Sequence, residues 1–247
     1  MKVITSIANE EVKLIAALKN SKDRDDQGRF IAEGSRVVAT FIEAGWKPTI
    51  LYVTEKMMPQ AEKCATQSQI TLVSFEVMKK MSQATTPSEL LAIFPIPINP
   101  DMASIQSGLV LANLSDPGNV GTLMRTCAAM NVHSVVMVEG VDPWHPKVIQ
   151  ASAGTIALLK VFQLSWEQLI ATKGDRKLYA LTVTNGKKPQ EIDATKALLV
   201  VGNEAHGLPE QWVAQCDDAI TIPMPGNTES LNAAIAGSIA MYELFKK

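Results

Sequence analysis

Apolar and polar positions repeat with helical and strand periods in alternation along the chain, and a proline-rich segment divides it. Val12, Ile15 and Leu18 form one apolar stripe at helical spacing after Ser6; Val37, Val38 and Phe41 form a second that stops near Gly45. Short β-rich runs follow at 49–53 (TILYV), 70–73 (ITLV) and 90–94 (LLAIF), with helix-like segments at about 55–68 and 75–82 between them. These elements predict a small α/β domain over residues 1–97. The segment FPIPINPDMAS at 94–104 holds three prolines, which fix φ and remove backbone donors, so neither a helix nor a central strand should run through it. It is the predicted linker.

From residue 106 onward the alternation is more regular. Strands are predicted at 109–114, 134–138, 160–163, 178–183, 197–202 and 219–224, with helices at about 119–130, 146–152, 165–173, 208–215 and 230–245. Apolar strands separated by helices predict a mostly parallel sheet covered on both faces, since parallel neighbours need crossover connections. Ligands of such sheets bind beyond the carboxyl ends of the strands.

Three of those ends carry residues that a plain turn would not need. In NLSDPGNVGTLMR, Asn113 to Arg125, a buried strand meets a Pro-Gly turn and a helix start, where free amides and two glycines suit an anion or a polar ligand edge. Arg125 follows Asn119 by six residues and is expected on nearly the same side of that helix. In VVGNEAHGL, Val200 to Leu208, Gly202 and Gly207 flank Glu204 on a tight loop. His206 stands beside it, but a lone histidine on a loop is more often incidental, and it is left out of the candidate set. In the third loop Pro223 and Pro225 end a strand, and the polar run Asn227 to Asn232 opens a helix lined by Ala233, Ala236, Gly237 and Ala240, whose small side chains permit close packing. Taken singly, each has a plainer explanation: a surface arginine after a turn, a solvated glutamate, and Ser230 as a helix N-cap.

Composition narrows the field further. A net charge of −2 argues against holding nucleic acid by bulk electrostatics, so any such contact must use local patches. Cys64, Cys127 and Cys216 lie far apart and read as reduced thiols; with His133, His145 and His206 equally scattered, no metal site is expected. The opening residues lack a basic start with an apolar core, and no run nears the roughly 18 apolar residues of a membrane span, so a cytoplasmic protein is expected. No glycine fingerprint follows a first strand, which disfavours a nucleotide-dependent oxidoreductase.

In order and spacing, the three loops resemble the signature motifs of the SpoU-type (TrmH-type) RNA 2′-O-ribose methyltransferases of the SPOUT superfamily, over residues 106–247. More weakly, FIAEG at 30–34 and TTPSELLAIF at 85–94 make the opening domain similar to the ribosomal-protein-like RNA-binding domain of many members. The resemblance implies an α/β fold with a deep trefoil knot. It also implies S-adenosylmethionine as cofactor, bound by Gly202, Ile222 and Leu231, with Met224 and Thr182 completing the set. Asn119, Arg125, Glu204, Ser230 and Asn232 would surround the target ribose and phosphate. RNA is the implied partner, ribosomal favoured over transfer RNA, along with a second copy in a homodimer that the small-residue helix would help to form; no membrane or metal is implied. Family proposals make the arginine matching Arg125 the proton acceptor. Because guanidinium is ordinarily protonated, the expected role is orientation of the ribose and stabilisation of oxyanion charge. Lys19, Lys22, Arg24, Arg29 and Arg36 cluster in sequence and read either as a local phosphate-contacting patch or as a solvated charged turn balanced by Asp23, Asp25 and Asp26. The alternative from another class is a non-catalytic RNA-binding or ribosome-assembly protein that keeps the fold without turnover.

Overall fold

In the computed structural model, which describes residues 1–226 and 228–246, the chain divides into two units: Met1–Pro97 with Trp144–Ala157, and Ile98–Pro143 with Leu158–Lys247. The first unit runs β1 (Lys2–Ile4), α1 (Glu10–Ala17), α2 (Ser21–Gln27), β2 (Arg29–Glu33), α3 (Ser35–Glu43), β3 (Ile50–Val53), α4 (Met58–Cys64), β4 (Ile70–Val73), α5 (Phe75–Met81) and β5 (Leu90–Pro95). Its sheet has the order β1-β4-β3-β5-β2, with β5 antiparallel to both neighbours and the other pairs parallel. Val12, Ile15 and Leu18 of the first helical stripe pack with Tyr52, Val77 and Leu91 in one core.

Three elements carried no readable period. β1 is three residues long, β2 is buried on both faces and so does not alternate, and α2 (SKDRDDQ) has no apolar residue. What anchors α2 is Arg24, which is buried and donates to the carbonyls of Leu18 (2.8 Å) and Lys19 (2.9 Å). Arg24 therefore leaves the candidate phosphate patch. The cap of α1 is Asn9, accepting from the Glu11 amide at 2.9 Å; Ser6 instead holds the preceding turn through the Ala8 amide.

Residues 144–157 group with the first unit because an aromatic cluster takes them in. Trp144 stacks on Phe30 with ring centroids 4.9 Å apart, and Trp46 Nε1 donates to the Ala157 carbonyl at 3.0 Å. Gly154 passes so close that an added Cβ would lie 2.8 Å from the Val37 carbonyl oxygen.

The second unit is built from β6 (Gly108–Ala112), α6 (Pro117–Ala129), β7 (Ser134–Val138), β8 (Lys160–Leu164), α8 (Trp166–Thr172), β9 (Lys177–Thr182), β10 (Ala197–Val201), α9 (Glu210–Val213), β11 (Asp218–Thr221) and α10 (Ala233–Phe245); α7 (Pro146–Ala151) lies in the excursion just described. Its six strands pair in parallel in the order β11-β9-β10-β6-β7-β8. β6, β7 and β10 are buried along their whole length, as an all-parallel sheet requires. Because β10 enters between β6 and β9, the loops that leave β6, β9 and β10 emerge side by side.

The small residues of α10 serve the inside of the chain. A Cβ on Gly237 would lie 2.6 Å from Leu123 Cδ2 and 3.1 Å from Val201 Cγ2, so the backbone of α10 sits directly on α6 and the end of β10. Ser238 and Thr126 hydroxyls meet at 2.9 Å across the same seam. The outward face carries the exposed Ile235, Ile239 and Tyr242. The helix begins at Ala233, not at residue 230, and Asn227 lies outside the described residues. All three cysteines are free thiols; burial pushes Cys127 up, and Cys216 up to about 12. Among the described residues no group of His, Cys, Asp and Glu is placed to hold a metal ion, and no helix is long and apolar enough to cross a membrane.

Candidate active site

After β6 the chain turns at Asn113, whose φ is 55°, and Asp116 caps α6 by accepting from the Gly118 amide at 2.6 Å. Left-handed backbone suits asparagine better than most residues. Ser115, Asp116 and Asn119 then meet Glu204 from the neighbouring loop. Its Oε2 accepts from the Ser115 amide (3.2 Å) and hydroxyl (2.9 Å), and its Oε1 accepts from the Asp116 amide (3.1 Å) and Asn119 Nδ2 (3.0 Å). Burial opposes the charge, yet the hydrogen bonds from Asn119 and from backbone amides, those of Ser115 and Asp116 among them, outweigh it and hold the carboxyl down to about 2.

The network continues into the third loop. Asn119 Oδ1 accepts from Asn232 Nδ2 at 3.2 Å, and Asn232 Oδ1 caps α10 by accepting from the amides of Ala234 (2.9 Å) and Ile235 (3.2 Å). Asn232, not Ser230, is the N-cap. The structure thus joins Asn119, Glu204 and Asn232 in one hydrogen-bonded chain that ties the three strand-end loops together.

Asn203 does similar work and was not legible as a site residue. Its Nδ2 donates to the Asn113 carbonyl at 2.9 Å, its Oδ1 accepts from the amides of Ala205 and His206, and its backbone pairs both ways with Gly207. An asparagine directly after a strand and before a glycine-closed loop is the signal that existed. Gly202 is required by approach distance: an added Cβ would lie 2.7 Å from Gly207 C and from Leu208 N.

Beside this network lies a cavity of about 360 Å³. Gly202, Glu204, Ile222, Met224, Ser230, Leu231 and Thr182 all line it, with Leu181, Val201, Ala233 and Ala236 adding apolar wall. His206 lines it too. Arg125 does not: it is exposed, and no hydrogen bond or ion pair engages it among the described residues. Six residues at 100° each turn Arg125 about 120° away from buried Asn119, so the two do not share a side.

Residues 106–242 match the SpoU rRNA methylase family, and residues 9–92 match the MRM3-like substrate binding domain. An uncharacterized tRNA/rRNA methyltransferase of Synechocystis is 31% identical over 97% of this chain and 92% of its own length. The 23S rRNA (guanosine(2553)-2′-O)-methyltransferase of Bacillus subtilis is 28% identical over 99% of both chains. The crystal structure of an AdoMet-bound rRNA methyltransferase from Sinorhizobium meliloti aligns with a TM-score of 0.88 at 28% identity, covering 98% of this chain and 97% of that one.

Proposed function

The chain belongs to the SpoU rRNA methylase family, and from that premise we infer that it transfers a methyl group from S-adenosylmethionine to a ribose 2′-hydroxyl of ribosomal RNA. The observation that carries this is the cavity at the carboxyl ends of β9 and β10, into whose wall all five residues of the expected cofactor set fall. Its volume lies within the roughly 300–1,000 Å³ of small-molecule sites, and its mainly apolar wall with a few polar groups fits an adenosine bearing a short charged chain.

When bound, S-adenosylmethionine supplies an electrophilic methyl carbon on a positively charged sulfur. Charge is dispersed at that centre, not created, so alignment of the two reactants is the largest contribution open to the protein. Gly202, Ile222, Met224, Leu231 and Thr182 are assigned to the cofactor, and Ser230 to the rim where the ribose must arrive. Glu204, Asn119 and Asn232 are positioning residues: they fix the three loops against one another and leave no free carboxylate valence for substrate. Arg125 is assigned to phosphate or ribose orientation from outside the cavity.

Residues 1–97 are assigned to RNA selection and residues 106–247 to methyl transfer, with Lys19, Lys22, Arg29 and Arg36 remaining as the candidate phosphate contacts. The insertion of β10 between β6 and β9 supports a C-terminal trefoil knot. The exposed Ile235, Ile239 and Tyr242 of α10 support a homodimer through the second unit. Titration of S-adenosylmethionine into wild type and Gly202→Ala tests the cofactor assignment. Binding by wild type that weakens at least tenfold in the variant is expected; equal affinity would remove the cavity from cofactor binding.

A further inference from the structure

We propose that His206 accepts the proton of the ribose 2′-hydroxyl during methyl transfer. The proposal rests on the methyltransferase reading above and adds a residue to it. A ribose hydroxyl is a weak acid, and in the displacement the O2′–H bond must break as O2′ bonds to the methyl carbon.

The wall of the cavity offers few places for that proton. Its leucines, valines, alanines, Ile222 and Met224 have no basic atom, and Thr182, Asn203 and Ser230 are neutral groups that do not take up a proton near neutral pH. Glu204 accepts two hydrogen bonds on each oxygen and is held at about 2, far too weak a base. Arg125 lies outside the cavity. The imidazole of His206 remains.

The loop presents that ring on a fixed backbone. Asn203 and Gly207 exchange two backbone hydrogen bonds (3.1 and 2.9 Å), and the His206 amide is held by Asn203 Oδ1 at 3.1 Å. Asn203 is in turn tied to the Asn113 carbonyl. The His206 side chain is exposed, and among the described residues no hydrogen bond or ion pair occupies its ring nitrogens. The loop therefore spends its internal bonds on the backbone and leaves the ring, exposed and lining the cavity, without an internal partner among the described residues.

The step balances without a further reactant. A lone pair on a neutral ring nitrogen takes the O2′ proton while the oxygen forms its bond to the methyl carbon. The carbon–sulfur bond breaks with its electron pair returning to sulfur, which becomes a neutral thioether. The imidazolium then releases its proton to solvent.

The test is single-turnover methylation of 23S rRNA at saturating S-adenosylmethionine by wild type, His206→Ala and His206→Gln, with cofactor affinity by calorimetry and addition of free imidazole. Expected is a loss of about 10²–10⁴-fold in the saturated rate of both variants, unchanged cofactor affinity and melting temperature, and partial recovery of His206→Ala by imidazole. Wild-type rates in either variant, a loss confined to cofactor affinity, or a rate loss that imidazole leaves untouched would each overturn the assignment. A wild type inert on RNA would instead sink the methyltransferase reading itself.

Discussion

Glu204 accepts four hydrogen bonds, so its ionised form is worth more in the folded chain than in the unfolded one. Its folded value of about 2 lies below its ordinary 4.5, so the stability it contributes is complete above about pH 4.5 and is lost as the pH falls toward 2. Glu204→Gln turns an amide NH2 toward donors at Ser115, Asp116 or Asn119. We expect a loss of about 1–3 kcal/mol at neutral pH in denaturant unfolding, with a flatter acid limb; an unchanged acid limb would deny the anchor. Arg24 gives the opposite lesson about charge. Arg24→Met should destabilise the first unit by about 3 kcal/mol, because two carbonyls lose a charged donor, and selective loss of RNA affinity at full stability would restore it to the phosphate patch. Asn119 and Glu204 were legible because loop chemistry and motif coincide at them. Asn203 was not, since its value lies in which carbonyl it reaches, and Arg125 was misread through a simple count of turns.

At the scale of elements, continuous apolar runs and stripes at helical spacing were readable wherever enough apolar residues stood together, whereas β2, buried on both faces and ending in Glu33, showed no alternation. β1 and α2 had too few, and the start of α10 was obscured because Ser230 and Asn232 are equally good caps by type; the helix start at Ala233 and the bonds from the Ala234 and Ile235 amides to Asn232 Oδ1 separate them. The packing of α10 was half legible: its small residues announced close approach, but not to what. Gly237→Ala measures that approach. Overpacking costs about 1–3 kcal/mol and the helix regains about 1 from alanine, so a net loss near 1 kcal/mol is expected, a fall in melting temperature of about 2–4 °C. A rise would mean that Leu123 yields freely and that the contact is loose.

For the whole molecule, the site exists because parallel pairing brings like ends of strands together and β10 fills the place between β6 and β9. No local pattern encodes that order, and the alternation of elements predicted only a mostly parallel sheet. The same holds for residues 144–157, which sit in the sequence of the second unit and fold with the first. A truncated chain of residues 98–247 would leave Trp144, Val148 and Ile149 uncovered, and it should aggregate unless these are made polar. Soluble, unmodified truncated protein would contradict that grouping. Ile235→Glu with Ile239→Glu should turn a dimer into monomers by sedimentation, and an unaffected dimer would place the interface elsewhere.

The central claim is met most directly by incubating the purified protein with unmethylated 23S rRNA and methyl-labelled S-adenosylmethionine, then digesting the RNA to nucleosides for mass spectrometry. Label on the ribose of a single nucleotide, carried as a 2′-O-methyl group and absent with Gly202→Ala, is the predicted result. Label on a base, or no label at all, would contradict it.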